Sequence, residues 1–276
     1  MTYTRSAFIV VQLVLLAFCI LVFQFFLTLR FTLLQSNFYL SISRKYGVYD
    51  FVKGYALEMV EKNLEDSQHS LPYLEKAFSE KWFKEAIDHF IVDLFEFLRG
   101  RKKELPELSG RLIKEQVARV LSEEGVQEAT KYVQYWLPIP DTVKLSDIST
   151  TKGIWEMQAL YRIAYRMPLF LIVIILLLSV GIFLSSSDVK EGFLWNLAAV
   201  IAGGGLILLT GAAFWYGLGM STYLEPIIEL GTSFGIPNEI SNAILWSAVR
   251  RILFPSFLFG FICLSAGSVS IVKWLK

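Results

Sequence analysis

Cysteine and histidine are nearly missing from this sequence, with two of each among 276 residues. Cys19 and Cys263 both lie inside apolar runs, so the charged part of the chain has neither a disulfide framework nor a thiolate metal site, and both thiols read as small core residues. Catalytic spacings are missing as well. No H-E-x-x-H, G-x-S-x-G or P-loop pattern occurs and no Cys/His nucleophile pair can be assembled, which excludes the enzyme classes that these patterns mark. Neither an enzymatic activity nor a cofactor or metal is expected. Charge is scarce too: charged residues make up 18% of the chain and hydrophobic residues 54%, with a mean hydropathy of +0.50. These values exclude an ordinary soluble domain and define a multi-pass membrane protein.

What is present is a set of four apolar runs. The chain is organised around residues 154–184, where an amphipathic pattern (Ile154, Met157, Tyr161 and Tyr165, with Arg162 and Arg166) passes without a break into Met167–Leu184. That run has no ionisable group and is long enough to cross a hydrocarbon core of ~30 Å as a helix. Pro168 is its weak point, because proline removes a backbone donor and crowds the Ala164 carbonyl. Ala7–Leu29 is the first run, interrupted only by Gln12, Gln24 and Thr28. It exceeds the apolar core of about 7 to 15 residues of a cleavable signal peptide and lacks an A-x-A-like site, so residues 1–29 are expected to remain as a signal anchor. Gln12 and Gln24 are expected to hydrogen-bond to neighbouring helices.

Phe193–Leu218 reads as the third span, joined to the second by the polar Ser185–Gly192 connection, with Trp195, Trp215 and Tyr216 near its ends as interfacial aromatics. Gly203, Gly204, Gly205 and Gly211 give it a thin face, suited first to close helix packing and second to a pore lining or hinge. Residues 219–251 read as a connection in which Asn238 or Ser241 caps an amphipathic helix through Ile244, Ala248 and Ile252, lying along the bilayer surface. Ile252–Val272 is the last span, where Ser256/Gly260 and Cys263/Gly267 form small-xxx-small seams. The expected fold is all-α: a four-helix transmembrane bundle, with spans two to four in 167–276 and an α-helical extramembrane domain, 30–166, inserted between the first and second spans.

Within that domain, Arg30 to Arg166 holds 20 Lys+Arg and 20 Asp+Glu. A neutral domain argues against nucleic acid as a partner, which would want a basic surface. Helical spacing places one helix near Tyr49–Leu64 through Val52, Tyr55, Ala56, Met59 and Val60. A second, capped by Ser79, carries Phe83, Ile87, Phe90, Leu94, Phe97 and Leu98 and ends at Gly100. Further stripes run through Leu112, Ile113, Val117, Val120 and Leu121 to Gly125, and through Ala129, Tyr132, Val133 and Trp136 to Pro138 and Pro140. Arg99, Arg101, Lys102 and Lys103 form a basic cluster that reads as a solvated turn diluted by Glu104 and Glu107. Glu85, His89 and Asp93 share one helical face at metal-ligand spacing, but that face lies opposite the apolar stripe and reads as solvated.

The chain resembles a group of uncharacterised bacterial membrane proteins, found especially in Chloroflexi-like lineages. The resemblance rests on Asn37, Phe38 and Tyr39, on Tyr49, Trp82 and Phe83, on Leu98 and Gly100, on Leu137, Pro138, Pro140 and Asp141, and on the Trp195–Gly205 stretch. It implies an extracytoplasmic helical domain with no known activity. Claudin and tetraspanin signatures are absent. Two function classes follow: a protein whose outer domain binds or scaffolds an envelope partner, peptide or lipid, and, as the alternative, a channel or transporter component using the Gly-rich third span. Partners expected are the lipid bilayer, an envelope protein or lipid ligand of the outer domain, and a second copy of the chain.

Orientation follows from basic residues in the short loops and tails, since loops longer than about 60 residues are largely exempt from the positive-inside rule. Arg5, Lys190, Lys273 and Lys276 then outweigh Arg250 and Arg251, placing both termini in the cytoplasm and residues 30–166 outside the cell membrane. A single cysteine placed in the 101–104 turn, with Cys19 and Cys263 replaced by Ala, is expected to react with a membrane-impermeant thiol reagent in intact cells. Reaction only after lysis would reverse the orientation.

Overall fold

The computed structural model describes residues 2–63, 75–76, 81–123, 125, 131, 133–134, 141–144, 151–219 and 238–275. Its helices are α1 (Thr2–Phe31), α2 (Ser36–Lys45), α3 (Val48–Asn63), α4 (Lys81–Arg99), α5 (Gly110–Glu123), α6 (Thr151–Ser185), α7 (Val189–Gly219) and α8 (Asn238–Leu275). A two-stranded antiparallel sheet, β1 (Glu107–Ser109) and β2 (Thr142–Lys144), is the one addition to this all-α architecture among the described residues. The chain divides into two compact units, one formed by Met1–Gln35 with Ile163–Lys276 and the other by Ser36–Arg162.

The first unit is built on α1, α6, α7 and α8, each long and apolar enough to cross a bilayer over Thr4–Phe31, Gly153–Ser185, Val189–Gly217 and Asn238–Val272. Leu16, Ile20, Ile182, Ala199 and Ile207 form its buried core. Glycines set the helix separations. A Cβ on Gly203 would lie 3.3 Å from the Ala17 carbonyl oxygen of α1, and one on Gly204 would lie 2.9 Å from the Gly260 carbonyl oxygen of α8. Gly211 faces the Phe257 ring, and Gly267 faces Ile201, so the expected Cys263/Gly267 seam packs on α7 with Cys263 buried. Gly205 departs from the expected thin face, since nothing lies within 4 Å of the position of its Cβ. Much of α6 carries exposed apolar side chains, among them Leu169, Ile172, Leu176 and Val180, the surface that meets lipid.

Pro168 is buried within α6, which continues through it from Thr151 to Ser185. The last span differs from the sequence expectation. Residues 238–251 are the first part of α8, unbroken into the span, because Arg250 and Arg251 are both exposed and charge alone does not interrupt a helical ladder. Val249 is buried with Leu253, and Trp246 meets Trp215 of α7 edge-on with ring centroids 6.1 Å apart. The remainder of the expected connection, residues 220–237, lies outside the described residues. The glutamines also differ from expectation: Gln24 donates from Nε2 to Thr28 Oγ1 on its own helix at 3.0 Å, whereas Gln12 does reach a neighbour, lying against Gly181 of α6.

In the second unit, α4 is the central helix. Phe83, Phe95, Phe97 and Leu98 are buried, with Ile87, Phe90 and Leu94 half-buried. Phe95 touches Tyr39 of α2 and Tyr161 of α6, and Phe97 touches Trp155. Gln158 is buried and donates to the Phe97 carbonyl at 2.5 Å. The helix ends in a Schellman motif, with Arg101 N donating to Glu96 O at 2.9 Å and Gly100 N to Phe97 O at 2.8 Å, around Gly100 at φ 76°. The short helix α2, absent from the sequence reading, buries Phe38 and Ile42 and ties Arg44 to Asp88 of α4 at 2.6 Å. Tyr49 donates to the same carboxylate. Burial and then Asp88 raise its phenol above the ordinary range, so it stays a donor.

Leu112, placed by spacing in the α5 stripe, is exposed, while Ile113, Val117, Val120 and Leu121 are buried. Ser79, Ala129, Tyr132, Trp136, Pro138 and Pro140 lie outside the described residues, and so do the side chains of Tyr55, Ala56, Met59 and Val60.

The two glycine environments in α7 give opposite expectations. Gly204→Ile forces α7 and α8 apart at a backbone contact and destabilises the protein by about 1–3 kcal/mol, the usual cost of overpacking. Gly205→Ala meets no atom and is neutral or stabilising by up to about 1 kcal/mol through helix propensity. Reversible unfolding of the two variants in mixed detergent micelles measures the difference.

Candidate functional sites

A polar concavity lies at the junction that spacing did not reveal. β1 pairs with β2 in the register Glu107↔Lys144, Leu108↔Val143 and Ser109↔Thr142, which brings Asp141 beside the first turn of α5. Ser109 Oγ accepts from Leu112 N at 3.2 Å as the helix cap, and Arg111 N donates to Asp141 O at 2.9 Å. Side chains add the pairs Lys114–Asp141 at 2.9 Å and Arg111–Glu115 at 2.8 Å. The resulting groove, of about 380 Å³, is lined by Arg111, Lys114, Glu115, Ala118, Val133, Gln134 and Asp141. It offers both charge signs over an apolar floor of Ala118 and Val133, a lining suited to binding a polar or zwitterionic segment. The sequence held a faint signal for it in the β-branched Thr142 and Val143 after the two prolines, in a run too short for alternation to be read.

A second pair of concavities lies within the membrane unit. A cleft of about 210 Å³ between α1, α7 and α8 is lined by Leu21, Gln24, Phe25, Ile207, Thr210, Gly211, Phe214, Ile252, Leu253 and Ser256. Its neighbour, of about 270 Å³, shares Gln24 and adds Leu27, Thr28, Phe31, Thr32, Pro255, Leu258, Phe259 and Ile262. Both are almost wholly apolar.

The residues singled out from sequence fall in several places. Gly203, Gly204, Gly211 and Gly260 sit at helix contacts, Ser256 lines the first cleft while donating to the Ile252 carbonyl at 2.8 Å, and Pro168 is packed within α6. Glu85, His89 and Asp93 are not drawn together: Glu85 pairs with Lys81, Asp93 pairs with Lys102 at 2.6 Å, and His89 is exposed. Among the described residues no group of three or more His, Cys, Asp or Glu is placed to hold a metal ion. In the basic turn after α4, Arg99 and Arg101 both reach Glu96 of the helix and Lys102 reaches Asp93.

These observations define an integral, multi-pass membrane protein with an extramembrane unit between its first two candidate spans. Comparison with protein-family models, curated proteins and solved structures returns no match for this chain.

The Lys114 ammonium, through its hydrogen bond and charge, holds the Asp141 carboxyl below the ordinary carboxylate range. A depressed native pKa contributes stability above the unfolded aspartate value of about 3.9, lost as pH falls through the lower native value. The Ser36–Arg162 unit is therefore expected to lose stability on acidification below about pH 4. Asp141→Asn removes that part of the acid slope, as thermal unfolding across this range measures.

Proposed function

We propose that the protein is a non-enzymatic binding protein of a bacterial envelope, anchored by four spans, whose extracytoplasmic unit Ser36–Arg162 engages an envelope protein, peptide or lipid. The observation that carries this reading is the groove beside α5, where Arg111, Lys114, Glu115 and Asp141 line a concavity with the apolar Ala118 and Val133. Support also comes from the membrane unit, where Gly203, Gly204 and Gly211 are occupied in helix contacts and Met167–Leu184 carries no ionisable group. The resemblance to four-span bacterial proteins with an outer helical domain belongs to the same reading. The alternative, a channel or transporter component, rests on the open position of Gly205 alone.

A photoreactive amino acid at Gln134, on the groove wall, is expected to capture a discrete partner in native membranes. Arg111→Glu together with Lys114→Glu should abolish that capture while the protein stays folded and inserted. Undiminished capture in the double variant overturns the groove as the contact site. Ion flux through the purified chain in liposomes, lost in Gly205→Leu, would replace the binding reading with the channel reading.

A further inference from the structure

We infer that the paired clefts around Gln24 form an intramembrane site for a neutral lipid alcohol, an uncharged amphiphile with a free hydroxyl such as a diacylglycerol. Gln24 is 4% exposed. Its Nε2 has a partner in Thr28, but its Oε1 is buried and accepts no hydrogen bond among the described residues; the side chain lies at the wall shared by both clefts, so a turn of its terminal torsion is what brings the oxygen to an occupant. In hydrocarbon no bulk water is at hand to complete such an amide, so an unmatched carbonyl is costly. A hydroxyl both donates and accepts, and therefore completes the amide in either orientation of its O and N.

The surroundings select against other headgroups. Among the described residues no charged side chain lines either cleft, so a phosphate or ammonium would find no counter-charge on these walls. The other polar atoms of the first cleft, Thr210 Oγ1 and Ser256 Oγ, already donate to carbonyls of their own helices and remain only as acceptors for a donor hydroxyl. Depth agrees with this choice. Gln24 precedes Phe31, the last residue of α1, by seven positions, or about 10 Å along the helix. A hydroxyl on a short neutral head can descend that far, whereas a charged head is held at the interface. The apolar walls, Leu21, Phe25, Phe214 and Leu258 among them, suit acyl chains.

The test uses the full chain in phosphatidylcholine vesicles with a diazirine-bearing diacylglycerol as the probe. Crosslinks are expected on peptides containing Gln24 and Thr210–Phe214, with competition by unlabelled diacylglycerol and not by phosphatidic acid. Gln24→Leu, which keeps the volume and removes the amide, should weaken capture about fivefold, the effect of one hydrogen bond in a membrane interior. Ser256→Ile, which narrows the cleft, should reduce capture as well. Equal capture in Gln24→Leu, labelling spread over the lipid-facing Leu176 and Leu177 of α6, or equal competition by phosphatidic acid each overturns the proposal. So does crosslinking between Gln24 positions of two copies, which assigns the cleft to self-association. None of these results depends on the groove beside α5.

Discussion

The contact between Gly204 and Gly260 is the constraint on which the membrane unit depends. Lipid tails are as apolar as leucine, so burying apolar side chains supplies little force between helices in a bilayer, and close van der Waals packing must hold them together. The carbonyl oxygen of each glycine faces the missing side chain of the other, with Cys263 and Leu208 closing over the junction. Gly203, one residue before Gly204 and therefore turned by about 100°, presents the neighbouring face of α7 to Ala17 and Ile20 of α1. Two adjacent glycines thus bring two different helices against α7, which explains why α7 is the centre of the unit while α6 leaves most of its apolar surface to lipid.

The Ser36–Arg162 unit is held by different physics. Its aromatic residues meet edge to face around α4, and two carboxylates on that helix act as collecting points for cations and donors. Asp88 receives Arg44 and Tyr49, and Glu96 receives Arg99 and Arg101. The exposed members of these sets contribute little individually, since solvent screens them. Gln158 matters more: it is buried, and its amide gives the Phe97 carbonyl at the end of α4 a second donor beside Gly100 N, tying α6 to the helix end. The same helix α6 that carries Gln158 and Tyr161 in this unit carries Leu171 and Ile182 in the other, with the division falling at Arg162.

The spans were legible because eighteen or more residues without charge have few other folded solutions, and the α4 stripe because Phe83, Leu94, Phe97 and Leu98 repeat at helical spacing up to a glycine that must end it. Boundaries were legible only where the backbone itself is constrained. Gly100 and Gly125, both with positive φ, were found, whereas Arg250 and Arg251 suggested an end that the helical ladder does not need. Helix α2 escaped because ten residues carry too few repeats of the Phe38/Ile42 spacing to rise above the surrounding pattern. The two strands escaped for the same reason, and the groove with them: it depends on a pairing between segments more than thirty residues apart, which no local period records. Leu112 shows the converse error, since it continues the count of its stripe but points away from the core.

Polar residues inside the membrane unit separate into those the fold completes and those it leaves open. Thr32, Ser186, Thr210 and Ser256 each donate to a carbonyl three to four residues back, so their hydroxyls are satisfied within one helix. Asn196 divides its Nδ2 between the Gly192 carbonyl of α7 and the Ser179 carbonyl of α6, joining the two helices of the hairpin. A side-chain amide carries both a donor and an acceptor that no single carbonyl can satisfy, and among the described residues Gln12 Oε1, Asn196 Oδ1 and Gln24 Oε1 are all buried without a hydrogen bond, Gln24 being the one that lines the two clefts. Gln24 finds the Thr28 oxygen for its donor and, among the described residues, nothing for its acceptor, although a leucine there would extend the apolar lining of Leu21 and Phe25 without that cost. A buried amide there costs stability that a partner at the cleft would return, and in a bilayer lipids are the abundant molecules able to supply one.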